Sequence, residues 1–157
     1  MKIVLNTSPV IFLSKIDCLH YLADCFDDIF VPNAVVQELR EDCLPAFITI
    51  SKLSATGSSY VAGALGRLHQ GELEAMVLAQ ELAADFVALD DLLARRKAQR
   101  LGLNVIGTVG LLLLLAKQNI IAPETIWLKL KQLTEQHGLY LSPDLLEQIN
   151  TRLFKRH

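Results

Sequence analysis

Short apolar runs alternate with longer stretches of helical periodicity along most of the chain. Five runs of strand length, bounded by polar or turn-forming residues, predict β-strands. They cover residues 2–5, 28–31, 47–51, 85–90 and 104–107. Apolar positions recurring every three or four residues predict helices between and after the strands. These helices cover residues 9–16, 18–26, 32–42, 70–84, 91–102, 108–119, 123–137 and 142–156.

Several local signals predict where these helices begin and end. Pro9 suits the first turn of a helix, which predicts Thr7 or Ser8 as the N-cap. In the same way, Thr108 is the predicted cap of the helix that follows it, and Gly102 is a predicted C′ glycine. Residues 54–67 are loosely patterned and carry three of the eight glycines. They favour a loop or a weak helix, and this is the segment most expected to be mobile.

Alternating strands and helices with short connections predict an α/β fold. Right-handed crossovers give a mainly parallel sheet of about five strands, with helices on both faces and further helices at the C-terminus. The length of 157 residues fits one domain. Because parallel strands end at one edge of the sheet, a functional site is expected at that edge.

The charge balance limits what the chain can bind. Its formal net charge is −2 and its pI is near 6.1. Overall charge therefore does not favour a nucleic-acid partner, which would need a local basic patch. Such a patch is offered by four basic residues on one predicted helix: Arg95, Arg96, Lys97 and Arg100. Contact with RNA phosphates and an ordinary solvated helix face explain these residues about equally well.

The sequence predicts a cytoplasmic protein. No signal-peptide pattern follows Met1, and the longest apolar run, residues 109–116, is too short to cross a bilayer. The three cysteines, Cys18, Cys25 and Cys43, form no Cys-x-x-Cys pair. They are expected to be small apolar side chains of a protein in a reducing compartment.

Acidic and amide side chains cluster at the predicted carboxyl edge of the sheet. Asn6 follows the first strand, and Asp90 and Asp91 follow the fourth; nearby helices offer further carboxylates at Glu38 and at Glu72 or Glu74. Carboxylates that converge repel one another unless a cation lies between them, and Mg²⁺ or Mn²⁺ prefers oxygen ligands. The alternative is that these residues are helix caps and surface charges of an unrelated α/β domain.

The order of these segments resembles the PIN domain. The similarity rests on "LNTSPVI", "VPNAVVQEL", "GELEAMVLAQELAADFVALDD", "AR" and "GLNVIGTVGLLLLLAK". It covers residues 2 to about 121, and the tail segment "GLYLSPDLLEQI" looks typical of one uncharacterised, toxin-type prokaryotic branch. The resemblance implies a single PIN-like domain over residues 1–157, with a core of about 1–121 and a helical extension of about 122–157.

The resemblance also implies an activity and partners. The fold would be a three-layer α/β/α arrangement, and the protein would be a divalent-metal-dependent endoribonuclease that hydrolyses RNA phosphodiesters. Such proteins are often the toxin of a toxin–antitoxin pair, so the expected partners are RNA, a cognate antitoxin protein and a second copy of the chain in a homodimer. The expected cofactor is Mg²⁺ or Mn²⁺.

The site residues follow from the family pattern. The implied catalytic residues are Glu38, Glu72, Asp90 and Asp91. The implied metal ligands are Asn6, Glu38, Glu72 and Asp90, with Glu74 as the alternative to Glu72. Thr7 and Ser8 match the small hydroxyl residues after the first acid, and the expected substrate-binding residues are Thr7, Ser8, Arg95, Arg96 and Arg100.

Asn6 departs from the pattern, because most PIN domains have Asp at this position. An amide oxygen ligates Mg²⁺ but is neutral, so the site loses one negative charge and is expected to bind metal more weakly. Mg²⁺ commonly needs only one or two carboxylates, so the remaining carboxylates are expected to hold an ion. The alternative is a catalytically impaired PIN-like protein that binds RNA or a protein.

Overall fold

The computed structural model of the protein describes residues 1–40 and 44–154, which include a five-stranded, all-parallel sheet. The strands lie in the order β3-β2-β1-β4-β5. They are β1 (Lys2–Leu5), β2 (Asp28–Pro32), β3 (Ile48–Ser51), β4 (Phe86–Ala88) and β5 (Val105–Ile106). Helices flank this sheet, which confirms the predicted three-layer α/β/α class with helices at the C-terminal end.

The helices occupy the connections between strands and the end of the chain. They are α1 (Thr7–Lys15), a 3-10 helix (Leu19–Asp24), α2 (Asn33–Leu39), α3 (Ala55–Ala64), α4 (Gln70–Glu81), α5 (Leu92–Arg100), α6 (Thr108–Lys117), α7 (Pro123–Gln136) and α8 (Pro143–Phe154). None of these helices is both long and apolar enough to span a membrane.

The two faces of the sheet bury two separate apolar clusters. Ile3 and Leu5 of β1 pack in the cluster that contains residues of α1, α6, α7 and α8, whereas Val4 packs against α4 and α5. This division follows from the alternation of side chains along a strand. Because β1 lies in the middle of the sheet, the residues that follow it lie in the middle of the carboxyl edge.

Two predicted helix caps are wrong. Helix α1 begins at Thr7, so the N-cap position belongs to Asn6 rather than to Thr7 or Ser8. Helix α6 begins at Thr108, and its N-cap is Gly107. In both cases the hydroxyl residue, placed one position further into the helix, donates its hydrogen bond to a distant carboxylate instead.

Other predicted boundaries hold to within a few residues. Gly102 follows Leu101, the C-cap of α5, and has a φ of +82°, which confirms the predicted C′ glycine. Helix α4 stops before residue 84 because Ala83 adopts a left-handed conformation, with a φ of +50°. The weak pattern of residues 54–67 contains helix α3, whose N-terminus is capped by the Ser54 side chain. The predicted 18–26 helix is a shorter 3-10 helix.

Some predictions fall partly outside the described residues. Helix α2 ends at Leu39, because Arg40 adopts a left-handed φ of +56°, so its predicted range of 32–42 is too long. Residues 41–42 of that range lie outside the described residues, as do residues 155–156 of the last predicted helix. Cys18 is a buried free thiol and Cys25 a half-buried one, as expected of small apolar side chains, while Cys43 lies outside the described residues. Burial raises the pKa of both described thiols.

Candidate active site

Asn6 lies at the centre of the carboxyl edge, directly after β1. Its backbone N–H donates to the carbonyl oxygen of Ala88 at 3.1 Å, which ties it to the neighbouring strand β4. The residue is only 6% exposed, and its Oδ1 atom has no hydrogen-bond donor in the described part of the chain. Leaving such an oxygen buried and unpaired costs about 1–3 kcal/mol. Oδ1 is therefore available to a ligand.

Glu38 reaches this edge from the end of α2. Its Oε2 accepts a hydrogen bond from the Thr7 hydroxyl, in the first turn of α1. On its other side is Gly71, where an added Cβ would overlap Oε1 of Glu38. The carboxylate thus lies where the start of α1, the end of α2 and the start of α4 meet.

Glu72 supplies a second carboxylate, from the first turn of α4. It is 6% exposed, and its Oε1 accepts a hydrogen bond from the backbone N–H of His69 at 3.0 Å. Burial raises the pKa of Glu72, and the negative charges of Asp91 and Glu38 raise it further, while the His69 N–H acts in the opposite direction. The charges of Glu38 and Asp91 therefore both reach Glu72, and these three residues are called the acidic cluster below.

Glu74 is directed elsewhere, although it lies only two residues further along α4. Its Oε1 accepts from the backbone N–H of Ala34 at 3.2 Å, and its Oε2 from Nε2 of Gln70 at 2.8 Å. Glu74 therefore holds the start of α2 against α4. The sequence left Glu72 and Glu74 as alternative ligands. Glu72 is the one on which the charges of Glu38 and Asp91 act.

The two adjacent aspartates after β4 have different partners. Both oxygens of Asp90 accept hydrogen bonds from Thr108, from its N–H at 2.8 Å and from its hydroxyl at 2.7 Å. Asp91 caps α5 by accepting from the Ala94 N–H at 2.9 Å through Oδ2, and its charge acts on Glu72. Asp90 thus fixes the start of α6, while Asp91 combines a structural cap with a place in the acidic cluster.

The predicted substrate-binding residues differ in their surroundings. Thr7 is held by Glu38, and Ser8 is half-buried in the first turn of α1. Arg95 is half-buried; an added Cβ at Gly107 would overlap its Nη1 and lie 3.2 Å from Oδ1 of Asp90, so these two side chains border the same glycine. The other two basic residues, Arg96 and Arg100, are exposed on α5.

Two residues of the site were not among the predicted site residues. Gly71 lets the Glu38 carboxylate approach α4, and Thr108 holds Asp90. A glycine in the first turn of a helix was the available signal for Gly71, because it costs about 1 kcal/mol relative to alanine and so indicates a close approach. The Thr108 contact had no sequence signal, since it joins residues that are 18 positions apart.

The donor set fits a hard divalent cation that keeps much of its water shell. Across residues 1–40 and 44–154, no three His, Cys, Asp or Glu side chains lie close enough together to form a ready ion cage. The site instead offers the unpaired Asn6 Oδ1 and the carboxylates of Glu38 and Glu72. Glu38 is joined by a hydrogen bond to Thr7, the residue that follows Asn6. Mg²⁺ is usually bound through one or two carboxylates and several waters, so these residues suit it better than a fully protein-ligated ion.

Substituting Gly71 by Ala is expected to weaken divalent-ion binding without lowering the stability of the fold. The added Cβ displaces only the far end of the Glu38 side chain, and alanine favours the helix by about 1 kcal/mol. The melting temperature should therefore not fall, whereas divalent-ion binding should weaken because Glu38 has moved. Calorimetric unfolding and Mn²⁺ titration of the same preparation check this. A lower melting temperature with unchanged ion binding would contradict it.

Comparison with known proteins agrees with this architecture. No curated protein matches the sequence of this chain. A family model described as a PIN domain matches residues 2–154, almost the whole of the 157-residue chain. PIN domains are generally nucleases, and they usually use divalent metal ions. The chain belongs to the PIN-domain family.

Proposed function

We propose that the protein is a divalent-metal-dependent endoribonuclease that hydrolyses RNA phosphodiesters at the carboxyl edge of its sheet. The observation that carries the proposal is the buried Oδ1 of Asn6, which lacks a hydrogen-bond donor in the described chain. The charges of Glu38 and Asp91 act on Glu72 at the start of α4, so negative charge gathers there. A ligand that accepts electron pairs from oxygen would satisfy Asn6 and relieve the repulsion between the acids. A divalent cation does both.

Asn6, Glu38 and Glu72 are the proposed protein ligands, together with an aspartate from the end of β4. From the sequence, Asp90 is the predicted aspartate ligand of the ion. The hydrogen bonds favour Asp91, because both oxygens of Asp90 already accept from Thr108. When bound, a divalent ion lowers the pKa of a coordinated water and stabilises negative charge on the phosphate.

The remaining residues of the site orient the reacting groups. Thr7 holds one oxygen of Glu38, which leaves Oε1 directed toward α4. Asp91 keeps its position because it caps a helix, and Arg95 lies close enough to Asp90 to meet an RNA phosphate at the border of the acidic cluster. A guanidinium here would bind the phosphate by two parallel hydrogen bonds.

Calorimetric titration of Mn²⁺ into the wild type, Asp90→Asn and Asp91→Asn tests the site. Asn caps a helix about as well as Asp, so Asp91→Asn removes a charge and keeps the cap. We expect it to weaken Mn²⁺ binding by about 10-fold or more, since even outer-shell partners of a metal commonly contribute 10–100-fold. Asp90→Asn is expected to cause a smaller loss.

The outcomes separate the alternatives. If Asp90→Asn loses more Mn²⁺ affinity than Asp91→Asn, the ligand is Asp90, as the sequence predicts. No binding by the wild type at millimolar Mn²⁺ would overturn the metal site itself. RNA cleavage that requires Mn²⁺ and disappears in Glu38→Gln would support the nuclease function directly.

A second candidate function is RNA or protein binding by a catalytically impaired PIN domain. Asn6 favours it, because the neutral amide removes one negative charge from the position where most PIN domains have Asp. Retained RNA binding without ion-dependent cleavage would support this function.

The proposed biological setting is that of a cytoplasmic toxin, controlled by an antitoxin protein and active as a homodimer. This part of the proposal is supported by the family resemblance of "LNTSPVI" and the C-terminal segment alone. Light scattering of the purified chain measures the oligomeric state. Growth arrest on expression of the wild type, but not of Glu72→Gln, would support the toxin role.

A further inference from the structure

A cavity of about 460 Å³ opens beside Asp90 and Arg95. It lies between the start of α6 and the C-terminal part of the chain. Its polar lining consists of Asp90, Arg95, Tyr140, Gln148 and Arg152. The cavity therefore connects the edge of the acidic site with α8 and with the segment before it.

Tyr140 presents an almost free aromatic ring at this cavity. It lies between α7 and α8 and is 83% exposed, the highest exposure among the large hydrophobic side chains described. A single exposed aromatic residue needs no special explanation. This one borders a largely apolar cavity that two guanidinium groups also line. An aromatic ring next to basic groups can serve as a stacking platform for a nucleobase.

The charge of the cavity suits a polyanion. Neither Arg95 nor Arg152 has a carboxylate within ion-pair distance in the chain as described, and the oxygens of Asp90 accept hydrogen bonds from Thr108. The acidic residues of α8, Asp144 and Glu147, line a separate depression that also contacts Arg152. Two guanidinium groups thus face the cavity against the single carboxylate of Asp90, while the acidic residues of α8 line the neighbouring depression.

Gln148 completes the lining from the same helix. Gln148 and Arg152 are four residues apart on α8, so they project from one face of that helix. The Gln148 amide offers both hydrogen-bond donors and acceptors, which are the groups needed to meet a base edge or a ribose hydroxyl. The cavity therefore offers arginines to bind phosphates, the Tyr140 ring to stack on a base, and the Gln148 amide to hydrogen-bond a base edge or a ribose hydroxyl.

We propose that this cavity binds a single-stranded segment of RNA next to the cleaved phosphodiester. Arg95 and Arg152 bind successive phosphates, and Tyr140 stacks on an unpaired base. Single-stranded RNA is required because a base within a duplex is already stacked on its neighbours. The proposal rests on the proposed ribonuclease function and extends the substrate path from the acidic cluster to α8.

Fluorescence anisotropy with a short labelled single-stranded RNA, in EDTA to prevent cleavage, tests the path. Tyr140→Ala is expected to weaken binding about 5-fold or more, the loss typical of one base–aromatic stack, whereas Tyr140→Phe should bind like the wild type. Arg152→Gln should lower the slope of log K against log salt by about 0.7, the value for one phosphate contact to a single strand. Tyr60→Ala on α3 is the matched control for loss of an exposed tyrosine.

Each outcome has one meaning for this path. A loss in Tyr140→Ala no larger than that in Tyr60→Ala overturns it, and so does binding of duplex RNA as tight as that of the single strand. If the wild type binds or cleaves RNA and the Tyr140 and Arg152 variants are unaffected, only the path is overturned, and the nuclease function stands. If the wild type neither binds nor cleaves RNA, both proposals are overturned.

Discussion

Glu72→Gln is expected to reduce ion-dependent RNA cleavage by about 100-fold or more, the loss typical when a group that supports transition-state charge is removed. The substitution removes a charge that the proposed ion requires. It keeps an oxygen that can accept the hydrogen bond of the His69 N–H, so α4 should still begin normally. Without the ion, the variant should be at least as stable as the wild type, because a buried carboxylate near two others has been neutralised.

The pH dependence of stability gives this prediction a second readout. The pKa of Glu72 is raised above its ordinary value of 4.5, mainly by burial. The folded state therefore holds the Glu72 proton more tightly than the unfolded state does. The stability contributed by this group is fully present below pH 4.5 and is lost as the pH rises through the raised pKa. Denaturant unfolding at several pH values should show this loss in the wild type and not in Glu72→Gln.

Glu74→Gln is the matched control, because it makes the same chemical change two residues further along α4. Glu74 accepts hydrogen bonds from Ala34 and Gln70, outside the acidic cluster. We expect this variant to lose some stability at the start of α2 and to cleave RNA at close to the wild-type rate. Equal losses of cleavage in the two variants would contradict the assignment of Glu72 as the ligand.

The sequence was sufficient to predict the architecture because the sheet is buried between helices. Strands such as 2–5 and 28–31 are short apolar runs, and helices such as 123–137 have a clear apolar face, so pattern and burial agree. Helix ends were harder to predict. Thr7 and Thr108 are typical cap residues, but their hydroxyls bond to Glu38 and Asp90, and these distant partners move the caps back by one residue.

The candidate site was less accessible from the sequence. Topology predicted that Asn6 and the aspartates after β4 would lie at one edge, since β1 and β4 are neighbouring parallel strands. The direction of a side chain decides which of two neighbouring carboxylates belongs to the acidic cluster. Sequence spacing does not distinguish Glu72 from Glu74, or Asp90 from Asp91. Only the contacts of His69, Ala34 and Thr108 make that distinction.

Asn6→Asp is expected to affect the fold and the ion in opposite directions. At neutral pH and without a divalent ion, it should lower the free energy of unfolding by about 3 kcal/mol, because it places an unpaired carboxylate at a position that is only 6% exposed. With the ion, the added charge should tighten binding by about 10-fold or more. Binding to the folded state alone would then restore stability, by about 2.7 kcal/mol when the ion is at 100 times its Kd.

Chemical denaturation with and without Mn²⁺ measures both effects, and Asn6→Ala is the control that removes the oxygen without adding a charge. It should weaken Mn²⁺ binding and leave the pH dependence of stability unchanged. If Asn6→Asp is neither destabilised without the ion nor stabilised by it, the acids do not act on this position, and the metal site proposed around Asn6 is wrong.

The cleavage rate of Asn6→Asp then decides what the asparagine does. A large gain in rate would mean that the neutral amide limits ion occupancy in the natural chain, as expected of an impaired nuclease. A gain in ion affinity without a gain in rate at saturating Mn²⁺ would mean that the carboxylates of Glu38, Glu72 and the aspartate after β4 already provide the charge that the reaction needs. Asn6 would then be an ordinary neutral ligand, and its buried, unpaired Oδ1 would be the position of that ligand before the ion binds.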